Sequence, residues 1–279
     1  MIQLKQVSFG YKRRHKLFSG LDLELSRGSI VGLLGRNGEG KSTLMKLITG
    51  QLLAQEGEVS CLDISTQKRP AKLLQQVFML PEEMTTPRLT VREYFDIIAP
   101  FYPTYDEQIA NELMQAFGVE WSWHLGKISL GQRKKAMIAL ALSLRTPILL
   151  LDEPTNGLDI PSKSVFRQVL AKYSSEEQLI IISTHQVRDL EQLIDHIVML
   201  DGNRVVCNHS IAQLSERLHF GVLTPDNSAR VLYREGSIMG EYGVWPADEQ
   251  GQESGNFSME LFFNAMIASP EQVKNCINH

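Results

Sequence analysis

The chain has 279 residues, of which 43% are hydrophobic and 22% are charged, and its formal net charge is −4. This composition is typical of a folded globular protein and excludes an intrinsically disordered chain. The weakly negative charge argues against a protein that wraps nucleic acid over its whole surface, so we expect no nucleic-acid partner.

The sequence has no segment that would cross a membrane. The apolar run AMIALALSL has nine residues, whereas a spanning helix needs ~20. The first residues, MIQLKQVSFG, lack the apolar core of a signal peptide. The three cysteines are far apart and odd in number, which is typical of a reducing compartment. These observations predict a cytoplasmic protein that reaches a membrane only through a partner.

The N-terminal third begins with strands and leads into a glycine-rich loop. Residues 2–9 and 21–26 alternate apolar and polar side chains, which predicts half-buried strands. The continuous apolar run SIVGLL (29–34) precedes this loop, and the helical pattern KSTLMKLITG follows it. The order is therefore strand, loop, helix.

The loop GRNGEGKS (35–42) matches the phosphate-binding pattern of two glycines, four intervening residues, lysine and serine. Its glycines let the backbone curl so that several amides point at phosphate oxygens, and the following helix adds its positive end. Lys41 brings a charge to the outer phosphates, and the hydroxyl of Ser42 is suited to Mg²⁺. The chain is predicted to bind a nucleoside triphosphate.

A helical pattern runs from about residue 86 to about 147. Thr90 with Glu93 and Thr104 with Glu107 fit the capping box of a helix start. A third start lies in KISLGQRKK (127–135), where Ser129 is placed to cap a helix and a glycine follows two residues later. A glycine inside a helix costs about 1 kcal/mol relative to alanine, so this position needs a reason.

Two short apolar runs downstream, ILLL (148–151) and LIIIS (179–183), predict buried strands of a parallel sheet covered on both faces. Asp152 and Glu153 follow the first run. Asp152 suits Mg²⁺ because hard cations prefer oxygen ligands. Glu153 is placed to deprotonate an attacking water. His185 follows the second run, and we expect it to hold a terminal phosphate and the attacking water.

These motifs together resemble the nucleotide-binding subunit of ATP-binding cassette (ABC) transporters. The glycine loop is similar to the family's Walker A, ILLLDE to Walker B, NGLD (156–159) to the D-loop, and ISLGQ (128–132) to the signature Leu-Ser-Gly-Gly-Gln. The spacing also fits, with 88 residues from Lys41 to Ser129 and 20 from Gln132 to Asp152. The resemblance covers about residues 1–205.

The resemblance implies an α/β fold: a RecA-like P-loop NTPase core with a mostly parallel sheet, an N-terminal antiparallel β part, an inserted helical subdomain and a small C-terminal appendage. We expect a nucleotide-binding domain over 1–208, with its helical subdomain at about 86–147, and an accessory extension over 209–279. The extension begins where the sequence changes to short strand-like runs separated by glycine and by Asn or Asp. Its last predicted element is the helical stretch SMELFFNAMIAS.

The resemblance also assigns roles to residues. Lys41 and Ser42 would bind ATP, and Ser42 and Asp152 would hold Mg²⁺. Glu153 and His185 would be catalytic. Further ATP-binding positions would be Tyr11, which would stack on adenine, and Gly35, Asn37, Gly38, Glu39, Gly40 and Thr43. Ser129, Gly131 and Gln132 would clamp the ATP of a second subunit, next to Asp159 of the D-loop.

Two departures from the family pattern are present. Leu130 stands where the signature has its first glycine. A leucine at the first helical position adopts normal backbone angles without strain, so the signature would either work or be weakened. Glu82, in VFMLPEEM (77–84), stands where the family's Q-loop carries a glutamine that contacts Mg²⁺ and the membrane partner. An acid there would still reach the metal or its water, or it would be a solvated loop residue.

We therefore expect an ATPase subunit that dimerises on ATP, as a homodimer or with a paralogue, and drives a separate transmembrane permease subunit. Its place would be the cytoplasmic face of the cell membrane. Glu82 and the C-terminal appendage resemble the bacterial exporter branch. The alternative is a soluble ABC-type ATPase that remodels a nucleic-acid, ribosome or protein assembly without transport.

Overall fold

The computed structural model describes residues 1–12, 15–224, 228–237, 240–247 and 256–278. Within these ranges the chain forms three β-sheets and a set of surrounding helices. The strands are β1 (Ile2–Phe9), β2 (Phe18–Leu25), β3 (Ser29–Leu34), β4 (Glu56–Cys61), β5 (Ile64–Ser65), β6 (Val77–Leu80), β7 (Ile148–Asp152), β8 (Leu179–Ser183), β9 (His196–Asp201), β10 (Arg204–Ser210), β11 (Leu218–Val222), β12 (Tyr233–Ser237) and β13 (Gly240–Pro246).

The described helices surround these sheets, and four short 3-10 segments connect them. The α-helices are α1 (Lys41–Ile48), α2 (Ala71–Leu74), α3 (Val91–Ile98), α4 (Glu107–Phe117), α5 (Leu130–Ser143), α6 (Ile160–Tyr173), α7 (Ile211–Arg217), α8 (Met259–Ala268) and α9 (Pro270–Asn278). The 3-10 segments are Thr66–Lys68, Ala99–Phe101, Val187–Asp189 and Ser228–Arg230. None of the described helices is long and apolar enough to cross a membrane.

The central sheet has the strand order β10-β9-β3-β8-β7-β6. All its neighbouring pairs are parallel except β9 with β10, which is antiparallel. Ile148 and Leu150 of β7 pack into one apolar cluster, and Leu149 and Leu151 pack into the other. Because both faces are covered, the strand reads as one continuous apolar run, as predicted. The mostly parallel α/β core is confirmed.

A second sheet, with the order β2-β1-β4-β5, is antiparallel throughout and confirms the predicted N-terminal β part. Its inward side chains, such as Ile2 and Leu4, share an apolar cluster with Val31 and Leu33 of β3 and with Leu44 of α1. This packing joins the antiparallel sheet to β3, which precedes the phosphate loop, and to α1, which follows the loop.

Helices α3, α4 and α5 form the helical region between β6 and β7. The capping box predicted at Thr90 and Glu93 is present, because each side chain accepts a hydrogen bond from the other residue's backbone N–H. The box predicted at Thr104 and Glu107 is wrong. Asp106 caps α4 instead, and the Thr104 hydroxyl donates to the Leu144 carbonyl oxygen at 2.6 Å. A tertiary contact thus replaces the local cap.

The C-terminal part contains the antiparallel sheet β11-β13-β12 and helices α7 to α9. Phe220, Val244 and Phe262 belong to the same apolar cluster as Leu149 of the central sheet. The predicted helical stretch is present as α8. Residues 225–227, 238–239, 248–255 and 279 of the predicted extension lie outside the described residues, and its boundary at residue 208 stays a prediction.

Candidate functional site

Residues from four separate segments line one cavity of about 490 Å³ at the carboxyl ends of β3 and β7. Because the parallel strands end at the same edge of the sheet, the loops that follow them meet there. The lining residues are Tyr11, Leu17, Asn37, Gly38, Gly40, Lys41, Ser42, Thr43, Glu82, Asp152 and Glu153. All of them except Leu17 are among the residues singled out in the sequence.

The loop between β3 and α1 curls around the floor of this cavity. Gly40 has a φ of 96° and forms the N-cap of α1, and a Cβ there would lie 2.6 Å from the ring of Phe18. Only glycine fits both the backbone angle and the space. The first α-helical hydrogen bond runs from Leu44 N to Gly40 O at 2.8 Å, so the amides of the first turn are free to bind an anion.

Lys41 is buried at the start of α1, and its ammonium points into the loop. Its Nζ donates to the carbonyl oxygens of Gly35 at 2.7 Å and Arg36 at 3.3 Å. Burial lowers the pKa of Lys41, and the nearby carboxylates, first Glu153 and then Asp152, oppose that shift. The side chain is thus held in the loop at the same cavity as Glu153 and Asp152, where an incoming polyphosphate would reach it.

Of two further residues predicted to bind ATP, Tyr11 lines the cavity and Glu39 does not. The Tyr11 hydroxyl hydrogen-bonds Thr43 Oγ1 at 2.9 Å, and the residue is 65% exposed, so its ring is accessible beside the phosphate loop. Glu39 Oε2 accepts a hydrogen bond from Asn203 N at 2.9 Å and so ties the loop to the β9–β10 turn.

Asp152 and Ser183 lie side by side at the ends of β7 and β8, in register with each other. The Ser183 hydroxyl donates to Asp152 Oδ1, and Ser183 Oγ accepts from Glu153 N at 3.0 Å. Ser183 is fully buried. Ser183 is not among the predicted site residues, although its place at the end of the LIIIS run is a usable signal.

Glu153, which lines the cavity, is paired with His185, which does not line it. The distance from His185 Nδ1 to Glu153 Oε1 is 2.9 Å, and the side chains are 42% and 7% exposed, respectively. Glu153 has a φ of 45°, which is uncommon for a residue other than glycine and is characteristic of functional sites. The carboxylate is therefore held in one orientation by the backbone and by the imidazole.

Glu82, at the expected Q-loop place, also reaches the cavity. Its Oε1 accepts a hydrogen bond from Asn156 Nδ2 at 3.0 Å, and its carbonyl oxygen accepts one from Lys134 Nζ at 3.3 Å. Glu82 is therefore a fixed loop residue connected to the NGLD segment and to α5. Asn156 and Lys134 lie in the quoted segments NGLD and KISLGQRKK, but their contacts with Glu82 were not predicted, because both bonds join residues more than 50 positions apart.

The signature segment forms a capped helix start. Ser129 Oγ accepts from Gln132 N at 3.2 Å, and Gln132 Oε1 accepts from Ser129 N at 3.0 Å, so the predicted cap is present. Leu130 is the first helical residue and is 60% exposed. A Cβ at Gly131 would lie 3.0 Å from the carbonyl oxygen of Gly157. Close packing against the NGLD segment is thus one reason for a glycine here.

The signature residues Ser129, Gly131 and Gln132 do not line the phosphate cavity of their own chain. Asp159, in the NGLD segment, caps α6, because its Oδ1 accepts a hydrogen bond from Ser162 N at 2.9 Å. Hydrogen bonds from the Ser162 side chain and backbone lower the pKa of Asp159. The functional roles predicted for these four residues stay predictions.

Comparisons with known proteins agree with one another. Residues 18–156 match the family model described as ABC transporter. The chain is 28% identical over 240 residues to the ABC transporter ATP-binding protein YtrB of Bacillus subtilis, covering 85% of this chain and 82% of that protein. It is also 28% identical over 232 residues to the bacitracin transport ATP-binding protein BcrA of Bacillus licheniformis, covering 80% and 76%.

The chain is also similar to solved structures of ATP-binding cassettes. A structure of the ATP-binding subunit of an ABC transporter superposes with a TM-score of 0.70 at 26% identity, covering 77% of this chain and 91% of that one. A dimeric ATP-binding cassette in a post-hydrolysis state, bound to ADP and phosphate, has a TM-score of 0.67 at 24% identity, covering 75% of this chain and 98% of that one. The latter likeness concerns the fold.

Proposed function

Because the chain belongs to the ABC transporter family and is an ATPase subunit of it, we propose that it hydrolyses Mg-ATP in the cavity described above to drive a separate transmembrane permease. The observation that carries this proposal is the Glu153–His185 pair, at 2.9 Å, beside a cavity that also contains Lys41 and Asp152. A base, an orienting imidazole, a phosphate-binding cation and a metal-binding acid are the groups that phosphoryl transfer to water requires.

The loop and helix α1 hold the triphosphate in this proposal. The amides of residues 38 to 43 surround the outer phosphates, and Lys41 neutralises part of their charge. Tyr11 offers an exposed ring for the adenine. Lys41 would have to exchange its hydrogen bonds to the loop carbonyls for bonds to phosphate oxygens.

Magnesium fits the residues that are present. Ser42 and Asp152 both line the cavity and offer oxygen ligands. Among the described residues, no group of three or more His, Cys, Asp or Glu side chains is arranged around a metal. Mg²⁺ does not need such a cage, because it binds through one or two protein oxygens together with substrate phosphates and waters. When bound, the ion neutralises charge on the outer phosphates.

Hydrolysis then follows from the side chains. Glu153 accepts a proton from a water as the water oxygen bonds to the γ-phosphorus, and the bond from that phosphorus to the β–γ bridging oxygen breaks. The products are ADP and phosphate. His185, paired with Glu153 at 2.9 Å, orients the carboxylate and holds the γ-phosphate. Lys41 stabilises the charge that moves onto the leaving β-phosphate.

A second subunit completes the site in this proposal, either as another copy of the chain or as a paralogue. At the capped start of α5 the amides of Ser129 and Gln132 are bound within the cap, which leaves the amides of Leu130 and Gly131 for a ligand. Ser129 and Gly131 lie outside the cavity of their own chain. A helix start of this kind is suited to the γ-phosphate bound by a partner. ATP would close the pair and hydrolysis would reopen it.

A separate groove is suited to the permease. The groove has a volume of about 460 Å³. Residues of β6 and α2 line one part of it, and the end of α3 with the 3-10 segment that follows lines another. Phe101 lines it at 64% exposure, and Ile97 nearby is 52% exposed. Exposed apolar surface of this kind is typical of protein–protein contacts. We propose that the permease binds there, on the cytoplasmic face of the cell membrane. We also propose that the direction is export, because Glu82 and the C-terminal appendage resemble the bacterial exporter branch.

Two measurements test this function. Phosphate release from ATP should require Mg²⁺ and should be lost in Glu153→Gln, whereas Glu176→Gln, an exposed acid elsewhere on the surface, should keep the wild-type rate. Affinity purification from membranes should bring down a polytopic membrane protein, and Phe101→Ser should weaken this association. Tight binding to ribosomes or DNA, without any membrane protein, would favour the alternative of an ABC-type remodelling ATPase.

A further inference from the structure

Lys134, in the second turn of α5, is a buried cation to which the proposed hydrolysis assigns no role. The residue is 2% exposed, and its ammonium donates to the Glu82 carbonyl oxygen at 3.3 Å. An ammonium has three N–H donors and is strongly hydrated in water. Burying it is unfavourable unless negative charge lies close by to offset the loss of hydration.

The negative charge near Lys134 comes from the cavity. Burial lowers the pKa of Lys134, and Glu82, then Asp152 and Glu153, oppose that shift. The same three carboxylates act on Lys41. Two buried lysines therefore share the acids of the site. One belongs to the phosphate loop, and the other belongs to the helix that begins with the signature segment.

The loop that carries Glu82 is fastened to α5 at more than one point. Lys134 holds the Glu82 backbone, and the guanidinium of Arg133 donates to the Thr86 hydroxyl farther along the same loop. Arg133 Nε also donates to the Leu125 carbonyl oxygen at 3.2 Å. The first turns of α5 thus hold the Glu82 loop by its residues 82 and 86. The Glu82 carboxylate is bound separately, by Asn156.

We propose that Lys134 is a positioning residue that offsets the charge of Glu82 and fastens the Glu82 loop to the signature helix. It acts through Glu82 and does not touch the substrate. With a neutral side chain at position 134, the three carboxylates would face Lys41 alone, and Glu82 would compete for that ammonium and turn away from its present place. The proposal rests on the hydrolysis proposed above and adds a residue to it.

A double-mutant cycle on the full chain tests the proposal. Lys134→Met, Glu82→Gln and the double variant are compared with the wild type for kcat and KM of phosphate release. We expect Lys134→Met to lower kcat at least tenfold with a change in KM below threefold. In the Glu82→Gln background it should lower kcat by a smaller factor, about threefold, because only the bond to the carbonyl oxygen of residue 82 is then lost. Lys135→Met, on the same helix but only half-buried, is the matched control and should change kcat less than twofold.

A second cycle, on thermal unfolding midpoints in EDTA without nucleotide, uses the same four proteins. Lys134→Met should lower the midpoint in both backgrounds, because the bond to the carbonyl oxygen of residue 82 is lost in both. It should lower the midpoint less in the Glu82→Gln background, where no carboxylate at position 82 is left uncompensated. If Glu82→Gln alone abolishes hydrolysis, kcat cannot be compared between the two backgrounds, and the unfolding midpoints then test the proposal. Equal midpoint shifts in both backgrounds, or an unchanged kcat in Lys134→Met, would overturn the proposal and leave Lys134 a packing residue.

The two proposals fail in different ways. If Glu153→Gln hydrolyses ATP like the wild type, the proposed function fails, but the nucleotide-free midpoints still measure the coupling of Lys134 to Glu82. If Glu153→Gln is inactive and the Lys134–Glu82 cycle is additive in both measurements, the function stands and the positioning role does not.

Discussion

Glu153 Oε1 and His185 Nδ1 lie 2.9 Å apart, although each side chain follows a different strand of the central sheet. Glu153 comes after β7 and His185 comes soon after β8, and these strands are parallel neighbours. The pair therefore depends on the strand order, and it places a carboxylate and an imidazole together at the edge where the phosphate loop also ends.

Replacing Glu153 by glutamine should separate hydrolysis from binding. A general base contributes roughly 10²- to 10⁴-fold to a rate, so we expect kcat to fall by that factor while the affinity for ATP stays within about threefold. Single-turnover kinetics and equilibrium binding measure the two quantities. A variant that turns over near the wild-type rate would remove Glu153 from its proposed role.

Replacing Lys41 by alanine should weaken ATP binding. The substitution removes a charge-assisted hydrogen bond, which contributes up to about 3 kcal/mol, so the dissociation constant should rise about a hundredfold. Titration calorimetry measures this change. Lys46→Ala, in the last turn of the same helix, is the control and should bind ATP normally. Unchanged affinity in Lys41→Ala would contradict the phosphate-loop assignment.

Ser129→Arg should block dimer closure without preventing ATP binding by the monomer. An arginine at the cap of α5 would fill the space that the partner's γ-phosphate needs. Sedimentation velocity with Mg-ATP, in the Glu153→Gln background, should show a dimer that Ser129→Arg abolishes. Ser122→Arg, at an exposed position of the same helical region, should keep the dimer. If Ser129→Arg also loses monomer binding, the variant is misfolded and the test must use Ser129→Ala.

Phe262→Ala should strongly destabilise the protein. Phe262 is 0% exposed, packs near Phe257 at a ring-centroid distance of 5.8 Å and belongs to the main apolar cluster. Removing a buried phenylalanine costs about 3–5 kcal/mol, and Phe263→Ala, at the half-buried neighbouring position, should cost about 1 kcal/mol. Urea unfolding measures both. A separate early transition would show that the C-terminal part unfolds by itself.

The cysteines should differ in reactivity toward iodoacetamide at pH 8. Burial raises the pKa of Cys61 and of Cys207 to about 12, so only about one thiol in ten thousand is ionised at that pH. Cys276 is only partly buried and should react first. Mass spectrometry of the native chain should find it labelled alone at early times, whereas all three should react in urea. Fast labelling of Cys61 would contradict the buried environment.

Local pattern was sufficient for many of the elements. The strands predicted at 2–9, 29–34 and 179–183 are present as β1, β3 and β8 with the same bounds, and the cap at Ser129 is present. These features depend on side-chain periodicity and on contacts within one turn of a helix, which neighbouring residues determine. The capping box expected at Thr104 failed because the Thr104 hydroxyl binds Leu144 across the fold.

The sequence by itself determined which residue types were available: a glycine loop before a helix, two acids after a buried strand and a capped helix start. Only the tertiary structure decided which of them meet. Strand order brings Glu153 to His185 and Ser183 to Asp152, and helix packing buries Lys134 beneath Glu82. Such contacts join residues far apart in the chain, and no local preference encodes them, because their free energy arises only after the sheet and the helical region have packed together.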